Sequence, residues 1–331
     1  MPFLLLLAWS AAVRLPFYQA TDKDEFFFSV IAAQWLDGAL PYVATFDVKP
    51  PGLFFIYAVA QALFGASQMT IKSLEILAIG VGAWALFAML RTYSERLALW
   101  AAILFPIYTL ALGGLVAAVM LIQLPFLILA FWALLRSLAD GCPHQSRQRA
   151  AFLAGLAVGA AGMIKQTAIL EAVALFSLMA IYGGRLRWRM LALFVVGAAV
   201  LPLAFAAYFA AVGAFAPMFN AVVTLALRRA DAAVAEAYGP EYAWYFTPLG
   251  ATLNSLSAAA PLIFLWGGAL FAVLRLERVR RAVPPRLLIV ATTWLVAAFA
   301  GVVVGKAICA YYVLTMVPPL LILAGAFFCH G

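Results

Sequence analysis

Histidine, cysteine and charge are what this chain has little of. Its 331 residues include two histidines, His144 and His330, both in or beside loops, and three cysteines, Cys142, Cys309 and Cys329, scattered and odd in number. A disulfide framework and a His/Cys metal centre are therefore not expected. Charged residues make up 10% of the chain, against 67% hydrophobic residues and a mean hydropathy of +1.06. Too few residues could face water for a conventional soluble domain, and the composition is that of a membrane protein. No repeat of fixed period and no low-complexity tail stands out beyond alanine richness. The net charge of +8 would point a soluble protein toward nucleic acid; here membrane topology accounts for it, and no nucleic-acid partner is expected.

What is present is a series of apolar runs near the ~20 residues that span a bilayer: 2–18, 68–90, 97–112, 115–135, 150–164, 167–183, 190–212, 248–274, 287–305 and 307–328. The expected fold is an all-α polytopic membrane protein of about ten transmembrane helices, one domain over residues 1–331. The run 50–65 is apolar but short and opens on two prolines, so it reads as a helix on the membrane surface or re-entrant. With the N-terminus placed in the cytoplasm, the inner loops hold Arg91, Arg96, Arg136, Arg147, Arg149, Arg185, Arg187, Arg189, Arg275, Arg278, Arg280, Arg281 and Arg286, against the acids Glu95, Asp140 and Glu277 alone. By the positive-inside rule this puts both termini in the cytoplasm and two long loops, 19–67 and 213–247, outside. The first apolar run lacks the positive n-region of a signal peptide.

In a chain so poor in charge, ionisable residues gathered in one loop are where chemistry is sought. The first outer loop carries Asp22-Lys23-Asp24-Glu25 and, further on, Lys49-Pro50-Pro51-Gly52. Asp22 and Glu25 fit a helix N-terminus, as N-cap and N3 of a capping box, with Gly38 as the stop. Capping leaves Asp24 without a structural role, which makes it the candidate catalytic or ligand-binding acid. Two prolines hold Lys49 at the mouth of an apolar segment, where it either snorkels to the interface or meets a lipid phosphate. Lys165 and Lys306 sit at the outer face, against the orientation rule, and either mark helix turns or bind phosphate; Arg228 and Arg229 in the second outer loop are weighed in the same way. Tyr311 and Tyr312 read as aromatic-belt residues, and Glu171 as an intramembrane acid in need of a partner.

The pattern Asp24-Glu25-x-x-Phe28-x-x-Ile31-Ala32, Gly38-x-x-Pro41-Tyr42, Phe46-Asp47-x-Lys49-Pro50-Pro51-Gly52-Leu53 resembles the first outer loop of GT-C glycosyltransferases, in particular the dolichyl-phosphate-mannose protein mannosyltransferase and aminoarabinose transferase group. It covers about residues 14–65. Gly162-x-x-Lys165 and Tyr311-Tyr312 followed by Val317-Pro318-Pro319 are weaker echoes. The resemblance implies a sugar transferred, with inversion, from a polyprenyl-phosphate donor to a hydroxyl at the outer face of the membrane, in a bacterial inner membrane with the site facing the periplasm. Asp24 would be the general base, and Lys49, with Lys165, Lys306, Arg228 and Arg229, would hold the donor phosphate. It implies no metal and no cofactor. The acceptor stays open among glycolipid, polysaccharide and protein. Relatives carry a second acid near the positions that read Val119-Met120-Leu121 here, and no acid occurs between Glu95 and Asp140; Asp22 and Asp47 are the candidate replacements. The chain is also short for the family. A lipid-linked-sugar transporter or a catalytically inactive member is the alternative.

Overall fold

The computed structural model describes residues 2–114, 119–139, 141–228, 244, 247–274, 279, 283–305 and 310–329. Among these, the regular elements are helices, with one isolated bridge between Pro41 and Thr45. In order they are α1 (Pro2–Arg14), α2 (Lys23–Leu36), α3 (Pro51–Phe64), α4 (Gln68–Leu90), α5 (Glu95–Ala111), α6 (Val119–Ser137), α7 (His144–Gly162), α8 (Ala168–Tyr182), α9 (Arg187–Ala211), α10 (Phe215–Phe219), a π turn (Asn220–Thr224), α11 (Leu225–Arg228), α12 (Pro248–Ala258), α13 (Ile263–Leu274), α14 (Pro285–Val304) and α15 (Val317–Phe328). A 3₁₀ segment, Ala310–Met316, leads into α15.

Local chemistry sets several of these boundaries. Ser67 and Ser94 cap α4 and α5 by accepting from the amides of Thr70 and Leu97, satisfying donors the helix leaves free. Pro51 opens α3, where its missing N–H costs nothing. Gly38, at φ +92°, follows the C-cap of α2 as the sequence predicts.

The expected count of ten spans is not reached by length and apolarity. Five helical stretches among the described residues are long and apolar enough to cross a bilayer: Gln68–Leu90, Val119–Ser137, Gly184–Ala211, Pro285–Val304 and Tyr311–Phe328. A sixth is a pair, Pro248–Ala258 and Ala260–Ala272, bent by 49°. The runs 2–18 and 167–183 form shorter apolar helices, and Pro16 falls in the 3₁₀ turn after α1. The run 97–112 becomes the 17-residue α5. α7 has 19 residues, but its first turns carry His144, Arg147 and Arg149. α3 has 14 residues, too few to span, and it packs beside α2.

The apolar side chains form two clusters. The larger runs through α4–α9 and α13–α15, with Phe131 of α6 stacked on Trp294 of α14 at 4.1 Å. α7 and α9 approach backbone to backbone: a Cβ on Gly155 would lie 2.0 Å from the Phe194 carbonyl, and one on Gly197 would lie 2.3 Å from that of Phe152. Small residues at such crossings are how helices pack where lipid is as apolar as leucine. The smaller cluster joins α2 and α3 to the body through Phe28, Phe54 and Tyr57, with Ile122 of α6, Ile164 and Phe209 of α9.

Arginines gather at the end of the bundle away from α2. Arg147 donates to the carbonyls of Ser137 and Gly183, and Arg286 donates to that of Leu138. These bonds tie three connections together and satisfy carbonyls that helix ends leave open.

Candidate active site at the N-terminus of α2

The first turn of α2 is built as the acid run predicts, with one difference. Asp22 is the N-cap, accepting from the Lys23 amide at 2.7 Å. Glu25 does not close a capping box: it is 2% exposed and pairs with Lys72 of α4 at 3.3 Å. Asp24, on the neighbouring face, is exposed and accepts a hydrogen bond from the Tyr311 hydroxyl at 3.2 Å. Its carboxylate sits in the first helical turn, where the helix dipole favours negative charge.

The segment between α2 and α3 arranges Lys49. The Asp47 carboxylate accepts from the Lys49 amide at 2.9 Å, and the Tyr42 hydroxyl donates to the Lys49 carbonyl at 2.7 Å. Asp47 is thus spent on an Asx-type turn. Burial, with Asp47 nearby, pushes the Tyr42 hydroxyl well above the usual phenol range, so it stays a donor. Among the described residues Tyr42 is also the non-glycine residue with positive φ, +69°, a conformation that turns the chain sharply before Lys49. The Lys49 ammonium lies 5.8 Å from the centre of the Phe28 ring. Phe28 follows Asp24 by four positions, hence on the same side of α2.

Lys165 reaches this region from the middle of the chain. The turn Met163–Gln166 between α7 and α8 docks on the start of α3: the Leu53 amide donates to the Met163 carbonyl at 3.2 Å. Gln166 donates to the carbonyls of Val48 and Val222, joining the turn to the residue before Lys49 and to the π turn after α10. Gln123 of α6 donates to the carbonyls of Ala161 and Lys165 from below. The Lys165 side chain is 7% exposed, with its ammonium 3.5 Å from the centre of the Tyr312 ring and 3.8 Å from the Met120 sulfur.

Gly52 makes this junction fit. A Cβ there would stand 2.6 Å from the Met163 carbonyl oxygen and 2.7 Å from its Cβ. Gly52→Ala is therefore expected to push α3 off the lysine turn, lowering stability by about 1–3 kcal/mol and activity with it. Thermal unfolding in detergent and turnover of the same preparation check this.

Tyr311 and Tyr312 add contacts that the sequence did not suggest. Beyond the aromatic-belt reading, they make specific contacts from the 3₁₀ segment ahead of α15, Tyr311 with Asp24 and Tyr312 with Lys165, with their rings 5.3 Å apart. Sequence reasoning also missed the buried acids and bases that surround α2. Lys72 contacts Glu75 as well as Glu25, and Arg14 pairs with Glu75. Their only signal was isolated charge inside apolar helices. Of the other candidates, Arg228 is exposed at the end of α11, away from the contacts just described, while Arg229 and Lys306 lie outside the described residues, as does the middle of the 213–247 loop. Glu171 of α8 is buried. Among the described residues no three His, Cys, Asp or Glu side chains are grouped to hold a metal.

The model of the dolichyl-phosphate-mannose-protein mannosyltransferase family matches residues 48–210, just under half of the chain. That stretch takes in Lys49 and Lys165 and stops short of Asp24 and Tyr311. ArnT from Cupriavidus metallidurans bound to undecaprenyl phosphate superimposes with a TM-score of 0.67 at 18% identity, covering 97% of this chain and 59% of that one. Its apo state gives 0.59 at 17% identity, covering 97% and 58%. The chain shares the fold of ArnT. Archaeal AglB, the oligosaccharyltransferase of Archaeoglobus fulgidus, in complex with an inhibitory peptide and a dolichol-phosphate, agrees at a TM-score of 0.54 and 13% identity, covering 98% of this chain and 49% of its own. No curated protein matches in sequence. The chain is an integral multi-pass membrane protein and spans about three-fifths of the length of ArnT.

Proposed function

We propose that this protein transfers a sugar from a polyprenyl-phosphate donor to an acceptor hydroxyl at the outer face of a bacterial inner membrane, with inversion. Asp24 is the general base. It takes the acceptor's proton as that oxygen attacks the anomeric carbon, the bond from the anomeric carbon to the phosphate oxygen breaks, and polyprenyl phosphate leaves with the electron pair. Lys49 meets the charge that grows on the leaving phosphate, and Lys165 lends a second positive charge from behind Tyr312. The observation that carries the reading is the junction of Gly52 and Leu53 with Met163, which brings a loop bearing Lys49 and a turn bearing Lys165 to one end of the bundle, beside an exposed carboxylate held by Tyr311. The undecaprenyl phosphate on ArnT and the dolichol-phosphate on AglB support a lipid phosphate as the donor class. Arginines at the opposite end of the helices support a site on the outer side.

A second reading has its own observation. Where the family resemblance leads one to expect an acid, Met120 stands beside Lys165, and a relative lacking that acid would bind donor without turning it over. Purified protein in lipid nanodiscs, offered a panel of polyprenyl-phosphate sugars with glycolipid acceptors, separates the two. Release of free polyprenyl phosphate with appearance of glycosylated acceptor is the expected result. Saturable donor binding without release supports the inactive relative, and neither binding nor release rejects the donor class.

A further inference from the structure

Glu25, Lys72, Glu75 and Arg14 are each between 2% and 4% exposed. They form one alternating chain of charge. Glu25 meets Lys72 at 3.3 Å, Lys72 meets Glu75 at 3.5 Å, and Glu75 accepts from Arg14. Arg14 also donates to the Gly114 carbonyl and, at 2.9 Å, to the Thr109 hydroxyl. Two acids and two bases balance, and the chain crosses from α2 through α4 to α1 and the end of α5. Buried ion pairs of this kind are poor evidence for stability, since desolvation consumes most of the attraction. What they do supply is a fixed register between the elements that carry them.

We propose that Lys72 is a positioning residue for Asp24, acting through Glu25 to set the rotation of the first turn of α2. This rests on the reading of Asp24 as the base. Neighbouring residues on a helix point about 100° apart, so whichever direction Glu25 is held in, Asp24 is held in another. With Glu25 drawn onto Lys72, the Asp24 carboxylate is turned outward to the Tyr311 hydroxyl. Other contacts hold the same helix: Asp22 caps it through an adjacent amide, Phe28 packs on Phe54 and Tyr57 one turn on, and Gln61 of α3 holds Ser29; the ion pair is the contact made from inside the first turn to α4. Displacement of a reacting group by about 1 Å costs on the order of a hundredfold in rate, so a modest rotation of this turn is enough to matter.

The test is the paired variant Glu25→Gln with Lys72→Met, which removes one charge of each sign and leaves Arg14 and Glu75 matched, so the buried region stays neutral. Lys72→Arg is its partner, keeping the ion pair. In nanodiscs, two quantities are read: amide hydrogen exchange of residues 23–27, and kcat and KM for a polyprenyl-phosphate sugar. The paired variant is expected to exchange about tenfold faster in this turn and to lose about tenfold to a hundredfold in kcat with KM for the donor little changed, while Lys72→Arg stays near the unaltered chain in both. Unchanged exchange overturns the proposal, as does faster exchange with an unchanged kcat, or a loss carried in KM alone. A chain whose unaltered form releases no polyprenyl phosphate from any donor fails the reading of Asp24 as base; the exchange comparison then decides by itself whether Lys72 anchors α2.

Discussion

Asp24→Asn is expected to release polyprenyl phosphate at least about a hundredfold more slowly than the unaltered chain, within the range that general-base catalysis contributes. Asparagine keeps the shape of the side chain, and its amide oxygen accepts from the Tyr311 hydroxyl as the carboxylate does at 3.2 Å. It differs in being unable to take up a proton. Donor binding, measured as equilibrium association of a labelled polyprenyl-phosphate sugar, is expected to change little, because Asp24 is an acid and the donor phosphate an anion. Tyr311→Phe removes the bond that orients the carboxylate and leaves the base in place, so its loss is smaller, about tenfold. Asp22→Asn is the control on the neighbouring acid. Its side chain accepts from the Lys23 amide at the N-cap, a role asparagine fills as well as aspartate, and turnover is expected to stay within about twofold. A strong loss in Asp22→Asn with near-normal turnover in Asp24→Asn would exchange the two roles and reject Asp24 as the base.

How much of this was legible beforehand depends on the range of the interaction. The N-cap at Asp22 and the stop at Gly38 are local, written within a few residues, and both are where the sequence places them. Glu25 was misread because a local role, the capping box, and a distant one, the ion pair with Lys72, begin from the same residue type, and nothing in a single sequence pairs positions 25 and 72. The contacts of Tyr311 and Tyr312 were missed for the same reason: tyrosine at the end of an apolar run is ordinary at headgroup depth, and the 3₁₀ segment that sets them against Asp24 and Lys165 brings together residues far apart in the chain. Hydropathy found the long helices and also the runs that form the shorter helices α1, α5 and α8, because a run of apolar residues does not show where a helix will stop. Gly52 was quoted as part of a motif, yet its reason is a contact with Met163 across the fold. The motif was readable; the surface it fits was not.

Lys49→Ala is expected to lower kcat about a hundredfold, the cost of removing one preorganised donor from a group on which charge develops, and to weaken donor binding as well. The lysine is held for this purpose. Pro50 and Pro51 follow it, the Tyr42 hydroxyl donates to its carbonyl, and Asp47 accepts from its amide, so the backbone is fixed and the ammonium alone retains freedom, lying beside Phe28 on the Asp24 side of α2. Asp47 then provides the decisive comparison. As a second catalytic acid it would be lost equally in Asp47→Asn and Asp47→Ala. As the acceptor in a turn it is replaced by asparagine, whose side-chain oxygen takes the same amide hydrogen bond, but not by alanine. The expected order is Asp47→Asn close to the unaltered chain, Asp47→Ala lower by about tenfold through misplacement of Lys49, and Lys49→Ala lowest. Steady-state release of polyprenyl phosphate by the three variants, measured side by side in nanodiscs, reads that order directly. Equal losses in the two Asp47 variants would move Asp47 from the turn into the chemistry, as a replacement for the acid missing at Val119-Met120-Leu121. Full activity in Lys49→Ala would leave the donor phosphate to the other candidate cations, Lys165 first among them.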